Sequence, residues 1–313
     1  MKPVRAESRV LIQENLYKSD RVLVTGAGGW FGMTVAALLH GAEQQVMYIT
    51  RRPRTIDFMS GTVDAISWDW EAVKSFAPTI VIDCAFILRD YVDDMSFEQY
   101  VAINAALTSQ MLQIAGLPSV TTIMYVSSGA AIHPMDATMM GLSDNPYGYM
   151  KRATELSLSS FARENNKAAT ILRPWSLSGS LVTRPERYAF SDLITQVVSG
   201  NVNIRASHNV LRRYVGVDDF FAVGMGAARR GVTVLNSGGE LVEFEELAKI
   251  MSEVLGNPIA LHRTEPTGEK ADDYYSRDSS WGDACLYMNF APATLAEQIK
   301  DVASSLAVRG VTS

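Results

Sequence analysis

Tyr147 and Lys151 stand four residues apart in the run Asp144-Asn-Pro-Tyr-Gly-Tyr-Met-Lys-Arg-Ala-Thr-Glu155. On a helix that spacing puts both side chains on one face. A tyrosine in water ionises at a pH of about 10. A neighbouring ammonium stabilises the phenolate and is expected to lower that value. Such a pair can exchange a proton with a hydroxyl or carbonyl near neutral pH. Tyr149 is two residues from Lys151 and faces elsewhere. Asp144 or Asn145 suits a helix cap, and Pro146 suits the first helical position. The spacing alone also fits a packed tyrosine beside a solvated lysine. Two further features give it weight. Ser127-Ser128 ends an apolar run and would bring a serine hydroxyl beside this helix. Asn104 interrupts the apolar run Val-Ala-Ile-Asn-Ala-Ala-Leu, where a buried amide satisfied by backbone is the plainer reading.

A second chemistry lies near the N-terminus. Arg21-Val-Leu-Val-Thr25 leads into Gly26-Ala-Gly-Gly-Trp-Phe-Gly32 and then into a stretch of good helix formers from Met33 to His40. Strand, G-x-x-G-x-x-G and helix in that order are the setting of a dinucleotide fingerprint. Gly26 would allow the tight turn, Gly29 the approach of a pyrophosphate to backbone, and Gly32 close packing of helix on sheet. Trp30 and Phe31 fall inside the loop and are placed with it against the cofactor. The pyrophosphate would rest on the helix N-terminus, whose free N–H groups and dipole favour an anion. At the end of the next strand, where an NAD site usually has a carboxylate, stand Thr50-Arg51-Arg52. Guanidiniums pair with a 2′-phosphate, so NADP(H) is favoured and NAD(H) remains possible.

These residues need elements to hold them. Strand-like runs at 21–25, 45–49, 63–67, 79–85, 121–127 and 168–172 alternate with helix-like stretches, notably 100–115 and 146–164. That rhythm predicts βαβ units and a parallel, doubly wound sheet. It weakens past Arg173, regains core character over 214–236, and closes with Leu295, Ile299, Val302 and Leu306 at helical spacing. The expected division is a dinucleotide-binding domain over 21–175 plus about 214–237. A smaller interleaved substrate domain takes about 176–213 and 238–313, and residues 1–20 form an extra arm.

Composition narrows the function classes. The chain has 313 residues, 47% hydrophobic and 20% charged, with net charge −6. An acidic chain argues against a nucleic-acid coat or a polybasic membrane patch. Its two cysteines, Cys84 and Cys285, exclude a disulfide framework and a cysteine-rich metal site. The four histidines, His40, His133, His208 and His262, are not at ligand spacing. No apolar run is long enough for a bilayer or a signal peptide, so the cytoplasm is the default expectation.

Taken in order along the chain, the motifs resemble the extended short-chain dehydrogenase/reductase family, in particular its nucleotide-sugar epimerase/dehydratase branch. The matching pieces are Thr25 to Gly32, Asp69-Trp70, Asp83-Cys-Ala85, Asn104, Ser127-Ser128, Pro146-Tyr-Gly-Tyr-Met-Lys151 with Glu155, Leu172-Arg-Pro174, and Arg212-Arg-Tyr-Val-Gly-Val-Asp-Asp219. The resemblance implies a Rossmann-type α/β fold with a smaller C-terminal substrate domain. It implies that Tyr147 is the acid/base, that Lys151 tunes it and holds the nicotinamide ribose, and that Ser128 contacts the reacting oxygen. Asp69 and Trp70 would lie beside adenine, Ala85 and Phe86 on the ribose side, and Pro174 near the nicotinamide. Asn104 would belong to the cofactor site, and Arg212 would bind a nucleotide-sugar diphosphate. Homodimers built from the helices around Asn104 and Tyr147 are common in the family.

Departures from the family sharpen the reaction. Gly129-Ala130 follow Ser128 where dehydratases have Asp-Glu and one epimerase/reductase type has Cys, so dehydration and that 3,5-epimerisation are disfavoured. Ile132-His133-Pro134 replaces Val-Tyr-Gly, and His133 is a candidate substrate contact. The leading expectation is NADPH-dependent reduction of a nucleotide-linked 4-keto-6-deoxy sugar. A 4-epimerase using the same Ser/Tyr/Lys site is the alternative, and a catalytically inactive NADP-sensing regulator is the remote one. A non-nucleotide substrate is disfavoured by Arg173, Arg184, Arg187, Arg212 and Arg213, whose density suits a diphosphate.

Overall fold

A computed structural model describes residues 3–88, 95–132, 142, 145–228, 231–264 and 271–311. Its centre is an eight-stranded sheet. In chain order the strands are β1 (Arg21–Thr25), β2 (Gln45–Thr50), β3 (Arg54–Asp57), β4 (Thr62–Ser67), β5 (Ile80–Asp83), β6 (Thr122–Val126), β7 (Ala168–Arg173) and β11 (Val232–Asn236). Their spatial order is β11-β7-β6-β5-β1-β2-β4-β3. Every neighbouring pair is parallel except β3 with β4 at the edge. Order reverses between β1 and β5, and such a switch point leaves a crevice at the strand C-termini.

Helices cover both faces, so the central strands are largely apolar. The pleat divides them between two cores. Val22 and Val24 of β1 face one core, with Val35 and Leu38 of α2 (Trp30–Leu39) and Phe220 and Phe221 of α7 (Val217–Ala227). Leu23, Val81 and Ile123 face the other, with Met111 and Ile114 of α4 (Phe97–Ala115) and Leu158 and Ala162 of α5 (Pro146–Glu164). Helix α3 (Trp70–Phe76) adds Val73 to that second layer. These elements follow the sequence rhythm closely. The short edge strand β3, two of whose residues are charged, gave no such signal.

A second sheet centres on β10 (Val210–Gly216). It pairs antiparallel with β12 (Glu240–Glu243) and parallel with β8 (Ser176–Ser178) and β14 (Asp272–Asp273). A small pair joins β9 (Asn201–Ile204) to β13 (Ala260–Arg263). Helices α6 (Ala189–Val198), α8 (Phe244–Leu255) and α10 (Leu295–Val308) pack on one another beside these strands.

Residues 3–20 are more than an appended arm. Helix α1 (Ala6–Glu14) packs on α7 and α2, burying Leu11 and Ile12. The Arg5 guanidinium donates to both Asp219 oxygens at 3.0 and 2.9 Å, and the Ser8 hydroxyl donates to the same carboxylate. Asp219 is fully buried, so these partners satisfy a charge the core could not hold alone.

Candidate active site

The turn after β1 has the geometry a dinucleotide needs. Gly26 adopts φ +63°, and a side chain there would meet Cys84 and Ala85 backbone at 2.7 Å. A Cβ on Gly32 would lie 2.4 Å from the Gly26 carbonyl, so only glycine lets α2 start this close to β1. A Cβ on Gly29 would meet only the Gly26 carbonyl, at 3.5 Å, and Gly29 lines the cleft at the helix N-terminus. The residues present thus fit a pyrophosphate. Trp30 is buried and packs edge-on to Tyr188 at 4.7 Å; Phe31 is partly buried and packs on Phe221.

A cleft of about 390 Å³ adjoins this turn, walled by Gly26, Gly28, Gly29, Thr50, Arg51, Arg52, Pro53 and Arg54. Arg51 and Arg52 are brought there as expected. Arg54 joins them, its guanidinium within 3.3 Å of where a Gly28 side chain would begin. It escaped sequence reasoning because β3 carries it back from the loop. Asp69 and Trp70 open α3 on the same side of the sheet as Trp68. Asp69 caps that helix by accepting from Ala72 N at 3.1 Å, and Trp70 stacks on Trp68 at 6.2 Å.

At the tips of β5 and β6 the other group assembles. Ser128 lies two residues past β6, and its hydroxyl accepts from Ala130 N at 3.2 Å. Asn145 caps α5, its Oδ1 accepting from Gly148 N at 2.9 Å. That sets Tyr147 on the first turn, edge-on to Phe86 at 5.8 Å, lining the same cleft as Ser128. Lys151 lies one turn further in, buried. Its Nζ donates to the Val126 carbonyl at 2.7 Å and sits 3.7 Å from the Phe86 ring centre. Ala85 and Phe86 follow β5, and Pro174 follows β7 in the wall of the cleft above Tyr147.

One expectation is reversed. Lys151 does not draw the Tyr147 phenol towards ionisation here. Burial pushes it above its ordinary value, with only the Ser128 hydrogen bond pulling the other way. The lysine nitrogen is 6.0 Å from the Tyr147 ring centre and is engaged with Val126. In this state Tyr147 holds its proton at neutral pH and can donate it.

Asn104 proves to be the backbone-bonded amide. Its Oδ1 accepts from Ile87 N at 2.9 Å and its Nδ2 donates to Ile87 O, so it fixes the chain just after Phe86. Glu155 explains another motif match. It accepts from Ser127 at 2.6 Å, from Arg173 at 2.7 and 2.6 Å, and from Arg152 at 2.9 Å. This network ties the ends of β6 and β7 to α5.

Above Tyr147 opens a cleft of about 340 Å³ between the two sheets. Trp30, Trp175, Tyr188 and Tyr274 contribute aromatic wall, and Ser128, Arg187 and Arg212 contribute polar groups. No carboxylate is among the described residues lining it. Tyr274 is a residue the sequence did not single out. Its hydroxyl is 3.5 Å from that of Ser128, and its ring packs on Trp175 at 5.0 Å. Arg212 is present but engaged. It donates to the Asp272 carboxylate at 2.6 Å and to the Asp272 carbonyl at 2.8 Å. His133 lies outside the described residues. Among the described residues no cluster of His, Cys, Asp or Glu could hold a metal ion, and no helix is long and apolar enough to cross a membrane.

Comparison with known proteins agrees with this geometry. The profile of the NAD dependent epimerase/dehydratase family matches residues 22–236. A UDP-glucose 4-epimerase from Thermotoga maritima, solved with UDP-glucose, superposes with TM-score 0.73 at 21% identity, covering 92% of this chain and 99% of its own. A UDP-N-acetylglucosamine 4-epimerase from Methanobrevibacter ruminantium gives 0.73 at 17%, covering 94% and 100%. RMD from Pseudomonas aeruginosa, solved with NADPH, gives 0.67 at 16%, covering 94% and 99%. A search of curated proteins finds no match.

Proposed function

The chain belongs to the NAD dependent epimerase/dehydratase family, and we propose that within it the protein is an NADPH-dependent reductase of a ketone on a nucleotide-linked sugar, with a 4-keto-6-deoxy sugar as the best single substrate. The observation that carries this reading is that Ser128 and a protonated Tyr147 line one cleft, whose described lining has no carboxylate. Elimination of water from a sugar needs an acid and a base beyond the tyrosine; reduction needs a single proton donor.

The glycine turn and the α2 N-terminus hold the dinucleotide, with Ala85, Phe86, Asn104 and Pro174 towards its nicotinamide end and Asp69 and Trp70 towards adenine. When bound, the cofactor supplies the hydride. Ser128 donates a hydrogen bond to the substrate carbonyl oxygen, and Tyr147 gives that oxygen its proton as the carbon is reduced. The tyrosinate left behind is stabilised by the Lys151 ammonium and is reprotonated from solvent. Holding donor and acceptor in one geometry supplies much of the rate gain. Arg212 meets the substrate diphosphate, which competes there with Asp272.

The arginine rim supports NADP(H). Arg54→Ala is expected to weaken NADPH binding on the order of tenfold and NADH binding little, because a charge-assisted contact to the 2′-phosphate is lost. Calorimetric titration with both dinucleotides checks this; an equal loss for both sinks it. Phe97 and Ile103 of α4 and Tyr149 and Leu156 of α5 are exposed apolar side chains. They support a homodimer joined through these helices, tested by its mass in solution.

A 4-epimerase is the second reading, favoured by the 4-epimerases among the similar structures. A panel of nucleoside diphosphate sugars and their 4-keto derivatives, followed by NADPH absorbance, separates the two. Net consumption of NADPH by a keto sugar supports the reductase. Interconversion of sugars without net consumption supports the epimerase.

A further inference from the structure

Asp83, the last residue of β5, is a carboxylate buried to 5% exposure in the middle of a parallel sheet. Its ladder neighbours are Thr25 of β1 and Tyr125 of β6. The Thr25 hydroxyl donates to its Oδ1. Interior parallel strands are otherwise apolar, as Val81 and Ile82 show.

Lys151 reaches the same place from α5. It is 3% exposed, with its Nζ against the rings of Phe86 and Tyr125 at 3.7 and 4.9 Å. The Val126 carbonyl takes one ammonium proton. An ammonium in such surroundings gives up its proton unless an anion faces it. Glu155 lies one turn along α5, but Arg173, Arg152 and Ser127 already engage both of its oxygens. Burial pushes the Cys84 thiol well up, which keeps it neutral. Tyr125 and Tyr147 are likewise held protonated. Among the described residues, Asp83 is the remaining carboxylate at this place, on the strand that pairs with Tyr125.

We propose that Asp83 is a positioning residue of the reaction, the interior counter-ion that holds Lys151 as an ammonium behind Tyr147. The inference rests on the assignment of Tyr147 and Lys151 to the reaction. Burial pulls Lys151 down to about 7, and Asp83 is the foremost influence holding it up, ahead of Glu155. Burial raises Asp83 to about 6 against the pull of Thr25, Lys151 and Ala85 N–H.

Asp83→Asn keeps the shape and removes the charge. Its effect can be read in two ways, one of which needs no substrate. The depressed Lys151 value costs stability as pH falls from 10.5 to about 7, and the cost is constant below that. The raised Asp83 value adds stability at low pH that is lost as pH rises from 3.8 to about 6. In Asp83→Asn the lysine cost continues to grow below its former limit, and the Asp83 contribution is gone. Both changes make the melting temperature climb more steeply with pH between about 5 and 7 than in the wild type. With substrate, the alkaline limb of kcat/KM for keto-sugar reduction moves down by about one pH unit or more, the effect of losing an opposite charge at close range.

Identical melting profiles overturn the proposal. A displaced melting profile with an unmoved rate limb overturns the positioning role. If neither protein turns over any keto sugar while the melting profile shifts, the reductase reading fails and the counter-ion pair stands. If the single variant does not fold, Asp83→Asn/Lys151→Met, which removes the stranded charge, is expected to fold; its failure counts against the pair.

Discussion

Tyr147→Phe is expected to lower turnover by about 10²–10⁴-fold, the usual contribution of a positioned proton donor, while dinucleotide binding and melting temperature stay close to wild type. The substitution keeps the ring that packs edge-on to Phe86 and removes the hydroxyl. Tyr147 lines the cleft rather than the core, so losing one oxygen leaves no void in the core. Binding rests on elements that the change does not touch, the Gly26 turn and the α2 N-terminus. Steady-state kinetics with NADPH and a keto-sugar nucleotide, paired with NADPH titration by fluorescence, reads both halves. Unchanged turnover removes Tyr147 from the mechanism. Loss of turnover together with loss of NADPH binding would assign it a different role, as a wall of the cofactor site. Because Tyr147 holds its proton in this state, the reductive direction needs no prior ionisation, whereas oxidation would have to start by removing that proton.

How legible these groups were depends on how local their placement is. Gly26, Gly29 and Gly32, and Tyr147 with Lys151, are set by spacings within one turn or one helix face, so residue order alone located them. The alternation of Val22, Leu23 and Val24 between two cores follows from the pleat and made the parallel sheet readable. Arg54, Tyr274 and Asp83 owe their positions to pairings across the chain. Arg54 arrives on an antiparallel edge strand, and Tyr274 through the bonding of β14 to β10. Asp83 was visible only as part of a motif, because nothing in a sequence says that a strand-end carboxylate faces a lysine from a helix far along the chain. The sign of the Tyr147 shift failed for a related reason. Spacing revealed the neighbouring ammonium but not the burial of the phenol, and burial wins. Helix α1 lacked a strong apolar stripe; what fixes it is polar, the Arg5 and Ser8 contacts to Asp219.

Glu155 is the residue whose loss should most damage the fold that carries the site. Its carboxylate is 1% exposed and accepts four hydrogen bonds, two of them from Arg173, itself 8% exposed. Glu155→Ala removes the anion and leaves the Arg173 guanidinium buried without a counter-charge. Breaking one side of a buried pair in this way typically costs about 3–5 kcal/mol, a large part of the stability of an ordinary domain. Arg152 adds little to that figure, because its side chain is nearly half exposed and water replaces the lost partner. Chemical denaturation of Glu155→Ala against wild type measures the difference, and a loss below about 1 kcal/mol would mean that water reaches Arg173. Removing both charges separates pairing from packing. Glu155→Ala/Arg173→Met is expected to recover much of the loss, since replacing a buried pair by apolar side chains is often close to neutral. The double variant should still be a poor enzyme. Without Glu155 the Ser127 hydroxyl loses its acceptor, and Ser127 immediately precedes Ser128, so the serine that lines the cleft with Tyr147 is no longer held. Stability restored and turnover still depressed is the result expected if Glu155 serves the reaction by fixing the end of β6; full recovery of both would reduce it to an element of the core.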